Sequence, residues 1–448
     1  MARRMVTVAD VVSAGLCLQC GTCLCVCPLN CIQLHRDDRR DFVPVVDTGI
    51  CNRCERCVTV CPGTGMDFPV GEVSSADDSL QRHHPDVGFY RRTFLGHAAD
   101  ENLRMASSSG GVVTALLIHL LEAQSIRGVL VARAGEGRPF DPVVAIVDAP
   151  GALNQGAPSL YHPVPLNRVL NDMENPEEFA VVGLPCHIHG MRKFMRMCHP
   201  GRAFALTIGL FCGINLSFSS LDFLARRAGR RGADLTGISY REGPWPGRTV
   251  MAFSNGDERI VDKNIANHLL TVPRCLFCVD HTNELADLSC GDPWLPELMG
   301  GSEGGWTAVI ARTERGAAML DAAGRQGRIC LREIDMERII ASQAPLLCFK
   351  KGHSRMRMGV ARWLGRAVPV YSGGESRTGG NPFHLVGNLI LLLVTTAIRR
   401  GWVRRRLSGM PTRILTWYKA LILRLLYTDR HILRSARRIR AFFGPGPK

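Results

Sequence analysis

Two runs of cysteine near the start of the chain share one spacing, and a proline follows the last cysteine of each. The first run is Cys17-x2-Cys20-x2-Cys23-x3-Cys27, and the second is Cys51-x2-Cys54-x2-Cys57-x3-Cys61. Bacterial ferredoxins have this pattern, and in them the fourth cysteine of each run binds the cluster of the other run. The spacing predicts two 4Fe-4S clusters, held by Cys17, Cys20, Cys23 and Cys61 and by Cys51, Cys54, Cys57 and Cys27.

Zinc is the alternative for these runs, since thiolates also bind zinc. Two complete runs, each followed by proline, favour iron–sulfur chemistry. Cys25 and Cys31 lie off the pattern and are interpreted as packed or incidental thiols. Cysteines in cluster spacings indicate a reducing compartment. No apolar segment follows Arg3 and Arg4, so no signal peptide is indicated and a cytoplasmic location is expected.

A second group of cysteines indicates a third metal site. Cys275 and Cys278 are separated by two residues, and Cys290 follows. The fourth ligand is expected to be Cys186, which ends a predicted strand, where an α/β sheet presents functional groups. On spacing alone, a zinc site with His281 as the fourth ligand is an equal alternative to a cluster. The remaining cysteines have no cluster spacing; they are Cys198, Cys212, Cys330 and Cys348.

Charge is distributed unevenly along the 448 residues, which carry a net +15. Residues 381–448 contain 14 Lys and Arg against the single acid Asp429, so the rest of the chain is nearly neutral. A nucleic-acid partner is therefore unlikely for the body of the protein and remains a minor option for this tail. With 46% hydrophobic residues, the chain is long enough for two or three globular domains.

Hydrophobic periodicity predicts a multidomain protein of the α+β or α/β class, with a central α/β body. Helices and strands alternate from the apolar helix over 112–123 through strands at 128–133, 179–184 and 203–211. An antiparallel part follows, with a hairpin at 249–261 around Asn255-Gly256, a strand over 306–312 and a helix over 314–325.

The domain boundaries follow from composition. They are a ferredoxin-like module over 1–70, a linker over 71–106, a two-part body over 107–235 and 236–370, a linker over 371–382 and a basic helical tail over 383–448.

Several segments of the body resemble the family of coenzyme F420 hydrogenase/dehydrogenase beta subunits. They are Ser108-Ser109-Gly110-Gly111, Gly183-Leu184-Pro185-Cys186, 209–215, 238–247 and 275–292. With the N-terminal cysteine runs, the arrangement looks most like the electron-input component of F420-dependent dehydrogenases. The resemblance implies bound FAD and a third 4Fe-4S cluster held by Cys186, Cys275, Cys278 and Cys290. A flavin suits this role because it converts a hydride into single electrons.

The resemblance also suggests where the flavin binds. Ser107 to Gly111 precede a helix whose N-terminus favours a pyrophosphate; a serine N-cap with a tight turn is the plain structural alternative. The expected cofactor-binding residues are Ser107, Ser108, Ser109, Gly110, Gly111, Gly183, Pro185 and Asn215. His187 and Lys193 are the candidate catalytic residues, though both residue types more often have structural or solvated roles on a helix.

The basic tail contains an apolar stretch from Leu385 to Ile398, which is short for a membrane span. Arginines follow it, and a second segment from Ile414 to Tyr427 mixes apolar, aromatic and basic residues, as interfacial helices do. An anionic membrane surface, and hence a peripheral location on its inner face, is one interpretation. A helical hairpin on a partner subunit is the other.

Three functional hypotheses remain open. The first is an oxidoreductase that exchanges hydride with coenzyme F420 and passes electrons to or from ferredoxin or a partner subunit. The second is a non-catalytic electron-transfer subunit. The third is a ferredoxin-dependent reductase of another ring system, such as a tetrapyrrole. No residue identifies the substrate or the direction of electron flow.

Overall fold

The computed structural model describes residues 4–68, 81–135, 140–153, 159–299, 304–373 and 381–427. Among these residues the strands are β1 Ile32–Arg36, β2 Phe42–Val46, β3 Gly65–Asp67, β4 Arg82–His84, β5 Gly88–Tyr90, β6 Arg92–Ala98, β7 Gly128–Ala134, β8 Pro142–Val147, β9 Phe179–Gly183, β10 Leu206–Leu210, β11 Leu235–Glu242, β12 Arg248–Phe253, β13 Glu258–Val261, β14 Leu288–Gly291, β15 Thr307–Ala311, β16 Ile329–Glu333 and β17 Val370–Ser372.

The α-helices in the same part of the chain are α1 Val8–Ser13, α2 Arg56–Thr59, α3 Glu101–Ala106, α4 Val112–Glu122, α5 Pro150–Leu153, α6 Pro185–Cys198, α7 Ser219–Arg227, α8 Glu314–Arg325, α9 Met336–Leu347, α10 Ser354–Trp363, α11 Pro382–Ile398, α12 Gly401–Ser408 and α13 Thr412–Leu426. A π-helical turn, Cys348–Gly352, joins α9 to the start of α10.

An eight-stranded mixed sheet forms the centre of the body, with the strand order β16-β6-β15-β14-β10-β9-β7-β8. The four middle strands β7, β9, β10 and β14 are parallel, whereas β8 on one side and β15, β6 and β16 on the other are antiparallel to their neighbours. Parallel strands are covered on both faces, and β9 and β10 are accordingly short apolar runs. The expected mixed α/β body is confirmed.

Helices cover both faces of this sheet. The apolar side chains of α4 and α8 pack with β7, β10, β14 and β15 in one hydrophobic core. Helix α6 packs on the other face, where Ile188 and Phe194 contact Leu130 and Val181. Helix α4 begins after Gly111, whose backbone is left-handed with φ of 79°. The predicted helices at 112–123 and 314–325 and the predicted hairpin at 249–261 are confirmed.

The linker predicted over 71–106 is wrong for its second half. Residues 71–80 lie outside the described residues, but β6 is an interior strand of the large sheet, paired with both β15 and β16. Its burial is explained by Phe94 and Leu95, which are both nearly inaccessible to solvent. Strand β6 has only seven residues, and these include Arg and His, so apolar and polar side chains alternate too weakly to predict a strand.

The N-terminal region packs directly on the body. Strands β1 and β2 form an antiparallel hairpin, and β3 pairs in parallel with β17, so the predicted linker over 371–382 begins within a strand. The buried guanidinium of Arg274 donates to the carbonyl oxygens of Gly63 (2.7 Å) and Pro62 (3.2 Å). The cysteine runs are therefore fixed to the body by a shared interior.

The C-terminal segment is folded against the body as far as it is described. Leu391, Leu392, Ile422 and Leu426 are buried in the core that also contains residues of the cysteine runs. The Asn388 side chain in the apolar stretch accepts a hydrogen bond from the buried Arg357 (3.1 Å). Residues 428–448 of the predicted tail lie outside the described residues. The prediction of a separate tail is thus wrong for α11 to α13, because their apolar faces complete the core.

Candidate functional site: three sets of thiols and one cavity

The first set of thiols consists of Cys17, Cys20, Cys23 and Cys61, the set that the ferredoxin spacing predicts. Burial raises the pKa of Cys17, and the nearby thiols of Cys61 and Cys20 raise it further. Burial and the thiol of Cys20 likewise raise the pKa of Cys61 to about 11. Metal binding requires thiolates, so binding of a cation or cluster here would be coupled to release of these protons. The structure brings all four cysteines of this set together.

The second set lies beside a small cavity lined by Cys27, Cys31, Cys51, Cys54 and Cys57. Four of these are the predicted ligands of the second cluster. Cys31, interpreted from the sequence as a packed or incidental thiol, also belongs here, because its Sγ lies 3.4 Å from that of Cys27. The β1 strand begins at the next residue and turns Cys31 toward the second run. The side chain of Cys54 is exposed to solvent.

A third set brings together residues that are far apart in the chain. Cys186 is the second residue of α6, directly after β9, and Cys212 follows β10. Because β9 and β10 are adjacent parallel strands, their carboxyl ends lie at the same edge of the sheet. Cys275 lies in a 3-10 turn, Pro273–Phe277, and Cys278 follows that turn. Burial raises the pKa of Cys186, and the thiols of Cys212, Cys20, Cys275 and Cys278 raise it further.

Cys290, which the sequence predicts as a ligand of this third set, lies in different surroundings. Its side chain is buried in the core that α4 and α8 form on the sheet. Burial alone raises the pKa of Cys290 to about 12, without a contribution from any other thiol. Cys212, which has no cluster spacing, lies near Cys186 and contributes to its raised pKa. The sequence offered one signal for Cys212: it directly follows the predicted strand that becomes β10, the neighbour of β9.

The hydrogen bonds of His281 argue against a zinc ion at the third set. Its Nδ1 lies 3.1 Å from the carbonyl oxygen of Cys212, and its Nε2 lies 3.0 Å from Oε1 of Gln343. Both ring nitrogens therefore have hydrogen-bond partners. Burial lowers the pKa of His281 to about 4, with a further contribution from Lys350. Across the described residues, no group of three or more His, Cys, Asp or Glu side chains is arranged for a single metal ion.

The first set lies near both of the others. The thiol of Cys20 in the first set contributes to the raised pKa of Cys186 in the third set. The thiol of Cys61 in the first set likewise contributes to the raised pKa of Cys57 in the second set. Cys212 of the third set lines a large cavity, and Cys54 of the second set is exposed to solvent.

The large cavity has a volume of about 1780 Å³ and lies at the edge of the sheet. Six of the eight predicted cofactor-binding residues line it: Ser107, Ser108, Ser109, Gly111, Gly183 and Asn215. The other two have structural positions. Gly110 is buried and its N–H donates to Oγ1 of Thr307 (2.9 Å), while Pro185 is the first residue of α6. The N-terminus of α4 therefore borders the cavity. The N–H group of Gly110, just before this helix, already has a hydrogen-bond partner.

The two candidate catalytic residues have structural contacts. His187 lines the cavity, but its Nδ1 accepts a hydrogen bond from the N–H of Leu184 (3.1 Å) and its Nε2 lies 2.9 Å from the oxygen of Val164. Burial lowers the pKa of His187 to about 4, so the ring is neutral. Lys193 points away from the cavity and donates to the carbonyl oxygens of Cys61 (3.1 Å) and Gly65 (2.8 Å). Neither residue is free for proton transfer.

An ion pair that the sequence did not reveal organises the loop before α4. Arg241 binds both oxygens of Asp292, at 2.8 and 3.1 Å, and donates to the carbonyl oxygen of Ser108 at 2.6 Å. Trp245 also donates its Nε1 hydrogen to Asp292 (3.0 Å). Bidentate pairs of this kind fix geometry as well as charge. Arg241 and Asp292 thus link β11 and the end of β14 to the serine-glycine loop.

The cavity is rich in positive charge. Its basic lining residues are Arg133, Arg227, Arg241, Arg259, Lys263 and Lys419, whereas its acidic lining residues are Asp262 and Asp292. Lys419 belongs to α13, so the C-terminal segment contributes to the wall. An excess of cations in a partly enclosed site attracts anionic ligands such as phosphates. Tyr161 and His162 also line the cavity, and no motif in the sequence indicated them.

A mixed α/β body with grouped thiols beside a large cavity is typical of an oxidoreductase. Comparison with known families agrees: the model of the coenzyme F420 hydrogenase/dehydrogenase beta subunit matches with its N-terminal part over residues 93–171 and with its C-terminal part over 177–337. These matches together cover more than half of the chain. The chain belongs to the family of coenzyme F420 hydrogenase/dehydrogenase beta subunits and is an oxidoreductase of that family.

Similar proteins include the coenzyme F420-dependent sulfite reductase of Methanocaldococcus jannaschii, 27% identical over 78% of this chain and 52% of that protein. The chain thus spans about half the length of that relative. The beta subunit of coenzyme F420 hydrogenase from Methanococcus voltae is 28% identical over 55% of this chain and 86% of its own. One component of the F(420)H(2) dehydrogenase from Methanosarcina mazei is 24% identical over 70% of this chain and 84% of its own.

A solved structure shares the fold. A chain of the F420-reducing [NiFe] hydrogenase complex from Methanosarcina barkeri superimposes with a TM-score of 0.51 at 22% identity. The similarity covers 64% of this chain and 98% of that chain. The chain therefore shares the fold of this hydrogenase chain over about two thirds of its length.

Proposed function

We propose that this protein is an iron–sulfur flavoprotein that exchanges hydride between coenzyme F420, or a related reducible substrate, and FAD. Electrons then pass singly through three 4Fe-4S clusters to or from ferredoxin or a partner subunit. One observation supports this proposal: grouped thiols lie close to one another, with Cys212 on the wall of the large cavity and Cys54 exposed to solvent. Clusters held by neighbouring sets of thiols would suit a carrier of single electrons.

The residues present fit the three clusters. The proposed ligands are Cys17, Cys20, Cys23 and Cys61 for the first, Cys27, Cys51, Cys54 and Cys57 for the second, and Cys186, Cys212, Cys275 and Cys278 for the third. Thiolates are the usual ligands of 4Fe-4S clusters. Buried thiols with raised pKa values lose their protons when metal binds, which couples metal binding to folding. Residues 4–68 are the proposed ferredoxin-like module of this arrangement.

The large cavity fits FAD together with a second ligand. Binding cavities for one small molecule are about 300–1,000 Å³, and this cavity has about 1780 Å³. The N-terminus of α4 and the basic lining residues suit a pyrophosphate, and Gly111 permits close approach of the backbone. A bound flavin would supply the conversion between a hydride and single electrons. The chain's residues bind, orient and shield that group.

The domain order follows from this assignment. We propose that residues 107–235 supply the loop before α4 and the strands β9 and β10, and that residues 236–370 supply Arg241, Asp292 and the Cys275–Cys278 pair. The segment from β6 to α3 belongs with the first of these parts. The match to the sulfite reductase covers more of the chain than the match to the hydrogenase beta subunit, which supports a functional unit larger than the family core.

Anaerobic purification with quantification of iron, sulfide and flavin tests the proposal. We expect about 12 iron atoms per chain, as three four-iron clusters require, and one FAD. Reduced coenzyme F420 should bleach the flavin and then reduce the clusters. A protein with clusters that retains no flavin, and that accepts electrons only from reduced ferredoxin, would contradict the hydride step and favour an electron-transfer subunit.

We further propose that the outer surface of α11 to α13 binds an anionic membrane. Residues 381–427 contain eight Lys and Arg and no acidic residue. Phe383, Trp402 and Trp417 are more than half exposed. Exposed aromatic and basic side chains on helices are typical of interfacial binding. Of the described helices, none alone is long and apolar enough to span a membrane, although α11 and α12, bent by 103°, meet that criterion jointly.

Co-sedimentation with lipid vesicles tests this membrane surface. The protein should bind vesicles containing phosphatidylglycerol and should not bind vesicles of phosphatidylcholine alone. Replacing Trp402→Ser and Trp417→Ser together should weaken binding, whereas Trp363→Ser is the matched control, since Trp363 is 77% exposed but lies on α10. Equal binding of the double variant and the control would reject the surface and favour a partner subunit there.

A further inference from the structure

Lys350 is a buried cation at the third set of thiols. Its side chain is 1% exposed, and its Nζ lies 3.4 Å from Sγ of Cys278. The same Nζ donates to the carbonyl oxygen of Asp280 at 2.8 Å. A lysine is rarely buried unless it is paired. Its ionisable neighbours are the thiols of Cys278, Cys212 and Cys275 and the carboxyl group of Asp280.

The π-helical turn, Cys348–Gly352, explains how a lysine reaches this position. A π-helical turn changes the register of a helix by one residue, and such turns often occur at functional sites. Here two consecutive lysines point into the interior. Lys351 forms an ion pair with Glu284 at 2.5 Å, while Lys350 turns toward the thiols. The family models end at residue 337, so this turn is a feature of the chain outside the matched region.

The other charges near Lys350 are already paired. The carboxylate of Asp280 lies 2.8 Å from Nε2 of His189 and accepts hydrogen bonds from the N–H groups of Asn283 and Glu284. The ammonium of Lys350 contacts only the backbone oxygen of Asp280, not that carboxylate. Its charge therefore acts mainly on the third set. In a buried site a charge at this distance acts strongly, because the dielectric constant is low.

We propose that Lys350 is a positioning residue that raises the reduction potential of the third cluster. An added electron makes a thiolate-bound cluster more negative, and a fixed cation beside a ligand sulfur stabilises that state. The inference rests on the proposed third cluster. It names a residue outside the ligand set and the direction in which that residue shifts the reduction potential.

Redox titration of the full chain, followed by electron paramagnetic resonance, tests this role. The Lys350→Met and Lys350→Gln variants should lower the midpoint potential of one cluster and leave the other two unchanged. The Lys350→Arg variant retains the charge and should stay close to the wild-type midpoint. Lys193→Met is the matched control: Lys193 lies beside Cys61, so its replacement should affect the first cluster and not the third.

The outcomes distinguish the inference from the proposed function. Three clusters with unchanged midpoints in both neutral variants would overturn the role of Lys350 alone. A wild-type protein that binds only two clusters would overturn the proposed function as well. If Lys350→Met does not fold, Lys350→Gln retains a hydrogen-bond donor of similar length and decides the question. Loss of the third cluster in both neutral variants, with retention in Lys350→Arg, would overturn the tuning role and show instead that the charge is required for assembly of the site.

Discussion

The first two sets of thiols and the third set are built in opposite ways. The eight predicted ligands of the first two sets lie within residues 17–61, and their spacing alone places them. The third set joins Cys186, Cys212, Cys275 and Cys278, which come from two neighbouring strand ends and a distant turn. Its geometry exists only when the sheet has formed.

This difference separates two kinds of sequence signal. A local run predicts its own ligands, since a few residues of chain restrict where the thiols can lie. A set assembled by the fold depends on strand order, which spacing does not contain. The difference also predicts how each set responds to substitutions. Substitutions in the sheet should disturb the third set first, whereas the first two sets should be disturbed mainly by replacement of their own cysteines.

Loss of Cys212 should have the largest effect. The Cys212→Ser variant should lose the third cluster and thus about a third of the roughly 12 iron atoms expected for three clusters. The matched change Cys290→Ser should retain all of the iron, because Cys290 packs in the hydrophobic core and burial alone accounts for its raised pKa. Iron and sulfide analysis of both variants measures this. The reverse result would restore Cys290 as the ligand.

The loop before α4 should control retention of the flavin. Gly111 has a φ of 79°, and a Cβ there would lie 2.9 Å from Oγ of Ser107. A side chain in this conformation costs about 1–2 kcal/mol, so Gly111→Ala should weaken flavin binding about tenfold. Gly201→Ala is the control, since its φ is 80° and nothing lies near its Cβ. Equal flavin affinity in both variants would remove this loop from the binding site.

The buried carboxylate of Asp287 connects the sheet to the helix α8. Asp287 accepts hydrogen bonds from the N–H (2.8 Å) and hydroxyl (2.6 Å) of Thr207 and from Arg315 (2.9 Å). Arg315 is partly exposed, so the main loss is of hydrogen bonds to a buried group, which costs about 1–3 kcal/mol; we expect Asp287→Asn to lower the free energy of unfolding by this amount. Chemical denaturation measures it. Glu177→Gln, which removes a surface pair with Arg202, should cause no measurable change.

The same carboxylate predicts a pH dependence. Burial would raise the pKa of Asp287, but Arg192, Arg315 and the hydroxyl of Thr207 hold it below its usual value. A lowered pKa in the folded state stabilises the protein above the unfolded-state value of about 3.9 and loses this contribution as the pH falls below it. The slope of stability against pH in acid should therefore be smaller in Asp287→Asn. An identical slope would contradict this.

Cys31 should give the smallest effect. Although its Sγ lies 3.4 Å from that of Cys27, it is a fifth thiol beside four expected ligands. The Cys31→Ser variant should retain the iron of the wild type, whereas Cys27→Ser should lose the second cluster. The opposite pattern in iron content would make Cys31 the ligand, and the local spacing would then be a less reliable guide than it is in the first set.

Much of the fold was predictable from the sequence. The helices at α4 and α8 and the hairpin of β12 and β13 follow from hydrophobic periodicity and from one Asn-Gly turn. Strand β6 was missed because its charged and aromatic residues alternate weakly, although neighbouring strands bury it. The apolar faces of α11 and α13 were recognised, but not that the body itself covers them.

The sequence by itself determined which residues could hold iron–sulfur clusters. Cysteine is the residue that binds such clusters, and runs with a fixed spacing specify their ligands locally. Only the tertiary structure decided that Cys212 lies near Cys186, that Lys193 and His187 have backbone hydrogen-bond partners, and that Lys350 reaches the sulfur of Cys278. The physical reason is that these contacts depend on the order of the strands and the register of a helix, which join residues that the chain keeps far apart.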